Sequence, residues 1–197
     1  MANALDRQPA AAPVPGRLIV VLGPSGSGKD TLIGLARAAL ADRPEVMFVR
    51  RAITRPAEAG GEDHLALSDA EFDACIDEGR FALTWAANGL RYGLPRDLEA
   101  HLAQGRVAVV NGSRGAWRVI RDVFPGALAV GISIEPGILA HRLAARGRES
   151  ATEIAARLVR ASALTDEVEA DLVIDNSGPA EIAGDRLVAY IREALAP

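Results

Sequence analysis

Leu18-Ile19-Val20-Val21-Leu22-Gly23-Pro24-Ser25-Gly26-Ser27-Gly28-Lys29-Asp30-Thr31 decides how this chain folds. Leu18 to Leu22 reads as a strand buried on both faces, and Thr31 to Ala41 reads as a helix. Between them lies Gly-x4-Gly-Lys, the spacing of a phosphate-binding loop. Its glycines let successive backbone N–H groups converge on phosphate oxygens, and its lysine reaches along the phosphate chain. The helix that follows aims its positive N-terminus at the same place. Lys29 is the only lysine among 22 basic residues, in a chain that otherwise uses arginine throughout. An ammonium on a thin stem fits inside a tight loop where a planar guanidinium does not. The stretch predicts binding of a nucleoside triphosphate, with Gly23, Pro24, Ser25, Gly26, Ser27, Gly28, Lys29, Asp30 and Thr31 as its contacts.

Composition narrows the remaining choices. A length of 197 residues suits one domain with a substantial core, and 49% hydrophobic with 24% charged residues is ordinary for a globular enzyme. A net charge of −4 argues against a general nucleic-acid binder, while leaving room for anionic small substrates held by local arginine clusters. Cys75, the single cysteine, has no disulfide partner and reads as a small core residue. No apolar run approaches the ~20 residues that cross a bilayer. Residues 1–16, with three prolines and no basic region followed by an apolar one, read as a disordered leader and not a secretory signal. The expected setting is cytoplasmic, without membrane or nucleic-acid partners and with a homodimer possible.

Strands and helices alternate along most of the chain. Val46 to Val49, Val107 to Val110, Leu128 to Ile134 and Asp171 to Ile174 read as further strands, with a closing helix after Pro179. Ser68-Asp69-Ala70-Glu71 carries a capping-box pattern, and Asn88-Gly89 marks a hairpin turn after the strand Arg80 to Trp85. Alternation of this kind implies a three-layer α/β fold with a mainly parallel sheet. Hairpin chemistry interrupts it between about 51 and 93, as expected of a small inserted substrate-binding subdomain; residues 52–66 read as a polar loop.

A second concentration of arginine lies at Arg142, Arg146, Arg148, Arg157 and Arg160. Phosphoryl transfer needs cations around the transferring group, and a mobile helical lid over about 142–160 would bring them. Arg146 and Arg148 fall where two helices break, at the lid tip. Arg142 and Arg160 read as surface or ion-pair residues.

Together these residues resemble the guanylate-kinase branch of the nucleoside-monophosphate kinases from Arg17 onward. The resemblance rests on the loop, on Thr54-Arg55-Pro56, Gly61-x-Asp63, Tyr92-Gly93, Arg146-Gly147, Arg157-Leu158 and Asn176. It implies a P-loop kinase fold, with Arg55 on the acceptor phosphate, Lys29, Arg146 and Arg157 in the catalytic role, and Asn176 close to the adenine. Four positions depart from the guanylate-kinase pattern along one ligand edge. The Gly-Glu pair after Thr-Arg is missing, His64 stands for a tyrosine, Leu94 for a hydroxyl residue and Gly112 for an aspartate that reads guanine. A site must pair the polar edge it reads, so guanine is not the expected ligand.

The replacements are themselves a pattern. Asp30 after the loop lysine, Glu62-Asp63-His64, Asn88-Gly89-Leu90-x-Tyr92-Gly93, Asn111-Gly112-Ser113-Arg114 and Arg146-Gly147-Arg148-Glu149 resemble the ribose 1,5-bisphosphate phosphokinases of phosphonate breakdown. That resemblance implies ATP-dependent conversion of ribose 1,5-bisphosphate to 5-phosphoribosyl 1-diphosphate. Arg55, His64, Tyr92, Arg114 and Arg148 would then meet the sugar phosphates. The acceptor, a phosphate with second pKa near 6, is largely dianionic at pH 7 and needs no general base. Mg²⁺ is expected as well. The usual Ser/Thr after the loop lysine is replaced by Asp30, which either helps hold the ion or only favours the positive end of its helix. Two other functions stay open at this point: a kinase for GMP or another nucleoside monophosphate, and a non-catalytic interaction module of the guanylate-kinase type.

Overall fold

The computed structural model describes residues 16–56, 62–145 and 169–196, and its first strand shows how the sequence builds three layers. In β1 (Arg17–Leu22) every residue after Arg17 is buried. Side chains of a strand alternate between faces. Ile19 and Val21 enter one apolar cluster while Leu18, Val20 and Leu22 enter another. A strand with two buried faces must lie inside a sheet covered on both sides.

That sheet contains β2 (Val46–Phe48), β7 (Val107–Asn111), β1, β8 (Leu128–Ser133) and β9 (Leu172–Asp175), in that order, and every neighbouring pair is parallel. On one face α1 (Lys29–Ala39) packs against α6 (Ala180–Ala194), with Leu32, Ile33, Leu187 and Ile191 closing the cluster over Ile19 and Val21. On the other face lie α3 (Asp97–Ala103) and α4 (Arg114–Val123), whose Leu98, Trp117 and Ile120 cover Leu18 and Val20. Helix α5 (Pro136–Ala145) follows β8 and buries Leu139 and Leu143.

Between β2 and α3 the chain makes a second sheet, ordered β4 (Leu65–Ala66), β3 (Ala52–Ile53), β6 (Leu90–Pro95), β5 (Phe81–Ala87), with α2 (Asp69–Asp77) beside it. The hairpin turn falls at Asn88 and Gly89, both with positive φ, as Asn-Gly predicts. The capping box at Ser68 and Glu71 is present, and Cys75 is buried in α2. The sequence reading of 52–66 as a loop is corrected at its ends, where β3 and β4 pair in parallel. Two-residue strands carry no periodicity of their own; cross-strand bonds from Leu65 to Arg51 and from Leu67 to Ile53 make them. Gly16, read as part of the leader, already belongs to the domain, its N–H donating to the Leu102 carbonyl. The rest of the leader, residues 1–15, and all of the expected lid after Ala145 up to 168 lie outside the described residues. Among the described residues no helix is long and apolar enough to cross a membrane.

Candidate functional site

The loop after β1 sits where the carboxyl ends of the parallel strands converge, the usual ligand position in such sheets. Gly28 caps α1 with φ 90° and ψ 14°, a left-handed conformation that only glycine adopts at little cost. A side chain there would also overlap the Asn176 amide. Lys29 curls back over the loop, its Nζ donating to the carbonyls of Gly23 (2.9 Å) and Pro24 (3.0 Å). Burial pulls its pKa down from 10.5 to about 8; Asp30 and Glu62 oppose the shift, while Arg51 and Arg114 add to it. Lys29 is therefore surrounded by two acids and two further cations, and the expected Arg114 is among them. Asp30 and Thr31 are exposed on the first turn of α1.

Asn176 holds the loop from below. It is 1% exposed, and its Nδ2 donates to the Ser27 carbonyl at 2.6 Å. Its side chain thus bears on the loop backbone. Asn176→Ala leaves that buried carbonyl without its partner, which costs about 1–3 kcal/mol. Chemical denaturation should show a loss of that order together with weaker ATP binding; an unchanged midpoint would remove Asn176 from this role. Arg142, read from sequence as a surface residue, is brought to the loop instead. Its Nη1 lies 3.6 Å from where a Cβ on Gly28 would stand. The missed signal is spacing: Leu139 and Leu143 of α5 pack under Gly26, so the residue before Leu143 lands beside the loop.

Next to the loop, Asn111 at the end of β7 joins two acids. Its Nδ2 donates to Asp30 Oδ1 at 2.6 Å and also to Glu62 Oε2. Arg51 grips Glu62 with two bonds, of 2.9 and 2.6 Å, and both side chains are about nine-tenths buried. Arg51 also lies over the rings of Tyr92 (5.1 Å) and Trp85 (5.9 Å), which stack on each other at 5.3 Å. The expected substrate residue Tyr92 is thus part of an aromatic wall that braces Arg51.

Arg55 is partly buried, and its buried Nε has no hydrogen-bond partner. No carboxylate among the described residues pairs with it. An orphaned guanidinium N–H is a donor awaiting an acceptor. His64 stands behind it, 5% exposed, its Nδ1 3.4 Å from Arg55 Nη2 and 3.0 Å from the Glu62 carbonyl. Its Nε2 is 3.0 Å from the Arg55 carbonyl. The imidazole therefore ties residue 55 to residue 62 across the bend. Arg146, Arg148 and Arg157 lie outside the described residues.

Comparison with known proteins places this geometry. A family model described as guanylate kinase matches residues 15–192. A ribose 1,5-bisphosphate phosphokinase PhnN from Desulfomicrobium baculatum is 48% identical over 90% of this chain and 95% of its own length. This chain belongs to that phosphokinase family. A PhnN protein from Laribacter hongkongensis is 51% identical over 89% of the chain, which spans only 42% of that longer relative. Among solved structures, a guanylate kinase from Anaplasma phagocytophilum superposes with a TM-score of 0.66 over 93% of this chain and 88% of its own, at 22% identity. This chain and that guanylate kinase therefore share the α/β architecture with its mainly parallel sheet.

Two of the departures from the guanylate-kinase pattern acquire a physical reason in this PhnN-family chain. Gly112 donates its N–H to the Val21 carbonyl, and a Cβ there would overlap Val20 and Leu22 of the core. An aspartate at 112 would push the Val20 and Leu22 side chains out of the places they hold in the core. Leu94 is fully buried in the apolar cluster.

Proposed function

We propose that the protein transfers the γ-phosphoryl group of ATP to the C1 phosphate of ribose 1,5-bisphosphate, giving 5-phosphoribosyl 1-diphosphate and ADP. One contrast carries the reading: Lys29 and Arg55 present donors for phosphate, whereas Gly112 and Leu94, where a guanine edge would be read, belong to the core. An oxygen of the C1 phosphate forms the new bond to the γ-phosphorus as the bond to the bridging oxygen of ATP breaks. The acceptor is largely dianionic, so no proton has to be removed. Catalysis then rests on positioning and on charge neutralisation. Lys29 spans the transferring and leaving phosphates, Arg55 receives the acceptor phosphate with His64 holding it in place, and Arg114 adds positive charge beside Lys29.

Mg²⁺ supplies charge neutralisation when bound with ATP, and the oxygen donors beside the loop suit such a hard cation. Arg146 and Arg157, if they close over the transferring group, act on the chemical step. Replacing either with Ala should lower kcat more than it raises the KM for ATP; a normal kcat would return that arginine to the solvated surface. A coupled assay of ADP release, offering ribose 1,5-bisphosphate and GMP in parallel, tests the function as a whole. ADP formed only with GMP would favour a nucleotide kinase instead.

A further inference from the structure

Asp30 and Glu62 come from different parts of the fold, the first turn of α1 and the segment leading into β4, yet both contact one nitrogen of Asn111. Two carboxylates so close repel each other unless a positive group lies between them. In this structure a neutral amide N–H₂ does that work, and the Asn111 Oδ1 is left buried with no partner. Buried amide oxygens are rarely left unpaired. Asp30 follows Lys29 directly, so the pair sits at the phosphate end of the loop.

We infer that Asp30, Glu62 and Asn111 form the divalent-cation site of this kinase, an inference that rests on the phosphotransfer reading above. All three offer oxygen, Asn111 with its amide turned over so that Oδ1 takes the place Nδ2 holds between the acids, and oxygen is the donor that Mg²⁺ and Mn²⁺ take. Among the described residues no group of three or more His, Cys, Asp or Glu side chains converges. One or two carboxylates, completed by nucleotide phosphates and water, is how Mg²⁺ is ordinarily held. Arg51 belongs to the outer layer of this site. Its bidentate grip fixes the Glu62 carboxylate, and the stacked Trp85 and Tyr92 fix Arg51 in turn. Outer partners of this kind orient metal ligands. Asp30, Glu62 and Asn111 thus act together: a carboxylate on the loop helix and another beside β4 take the place of the hydroxyl that usually follows the loop lysine.

The test uses the full-length protein saturated with a non-hydrolysable ATP analogue and titrates Mn²⁺, following free ion by electron paramagnetic resonance. Asp30→Asn and Glu62→Gln should each weaken Mn²⁺ binding by at least about tenfold, the low end of what outer-layer changes already cause. Asn111→Asp replaces the amide by a third carboxylate. It should lower the melting temperature in EDTA and recover it with Mn²⁺, which a merely structural asparagine would not do. Glu62→Gln leaves Arg51 without its carboxylate partner; if that variant fails to fold, Asp30→Asn, at an exposed position, carries the titration alone. Mn²⁺ affinity equal to wild type in folded Asp30→Asn, with melting of Asn111→Asp indifferent to Mn²⁺, would show that the nucleotide alone carries the ion and would overturn the site. Neither readout involves a sugar or phosphoryl transfer, so a wrong acceptor assignment leaves these results unchanged.

Discussion

Lys29→Ala should lower kcat by at least about 10²-fold while the protein stays folded. Removing one preorganised donor at a transition state costs roughly that much. The fold survives because, among the described residues, Lys29 Nζ bonds only to carbonyls of its own loop, and the strand and helix on either side bury their residues without it. Circular dichroism checks the fold and ADP release checks the rate. A folded variant with wild-type turnover would contradict the loop assignment. The pH dependence follows from the same ammonium. Burial within the loop holds its pKa at about 8 against 10.5 for a free side chain. A bound triphosphate favours the charged form and raises the pKa again. Nucleotide binding at a pH above about 8 should therefore take up a proton, and Lys29→Ala should abolish that uptake. Calorimetry in buffers of different ionisation enthalpy measures it directly; equal uptake by both proteins would exclude Lys29 as its source.

The features legible in the sequence were those written in local periodicity. Five apolar residues before Gly23 place β1 inside a sheet, and Gly-x4-Gly-Lys puts a phosphate loop at its end. Ser68 with Glu71, and Asn88 with Gly89, mark their helix start and turn by residue type alone. Contacts that join distant segments were not legible. Nothing local to Asn111 says that it meets Asp30, 81 residues away, and Glu62, 49 residues away. Nothing local to Arg142 says that it reaches Gly28; α5 does that by burying Leu139 and Leu143 beneath the loop. Gly112 is an intermediate case. Its departure from the guanylate-kinase pattern was visible, but the reason, its contact with Val20 and Leu22, appears only once β7 pairs with β1.

The second large effect concerns the acceptor. Guanine brought to this site would find neither the hydroxyl nor the aspartate expected at positions 94 and 112 to pair its polar edge, at about 1–3 kcal/mol for each buried group left unpaired. Two such losses amount to ~2–6 kcal/mol, or roughly 30- to 10⁴-fold in kcat/KM. Ribose 1,5-bisphosphate instead brings two phosphates, about −3 to −4 charges, to a site held by Lys29, Arg55 and Arg114. Both of its phosphates should matter, and ribose 5-phosphate, with no phosphate on C1, should be inert. Phosphorus NMR of the product, after incubating the protein with ATP and each acceptor in turn, tests the central claim most directly. The account predicts the paired resonances of a diphosphate on C1 from ribose 1,5-bisphosphate and little or no GDP from GMP. Efficient formation of GDP, with no diphosphate from the sugar, would contradict it.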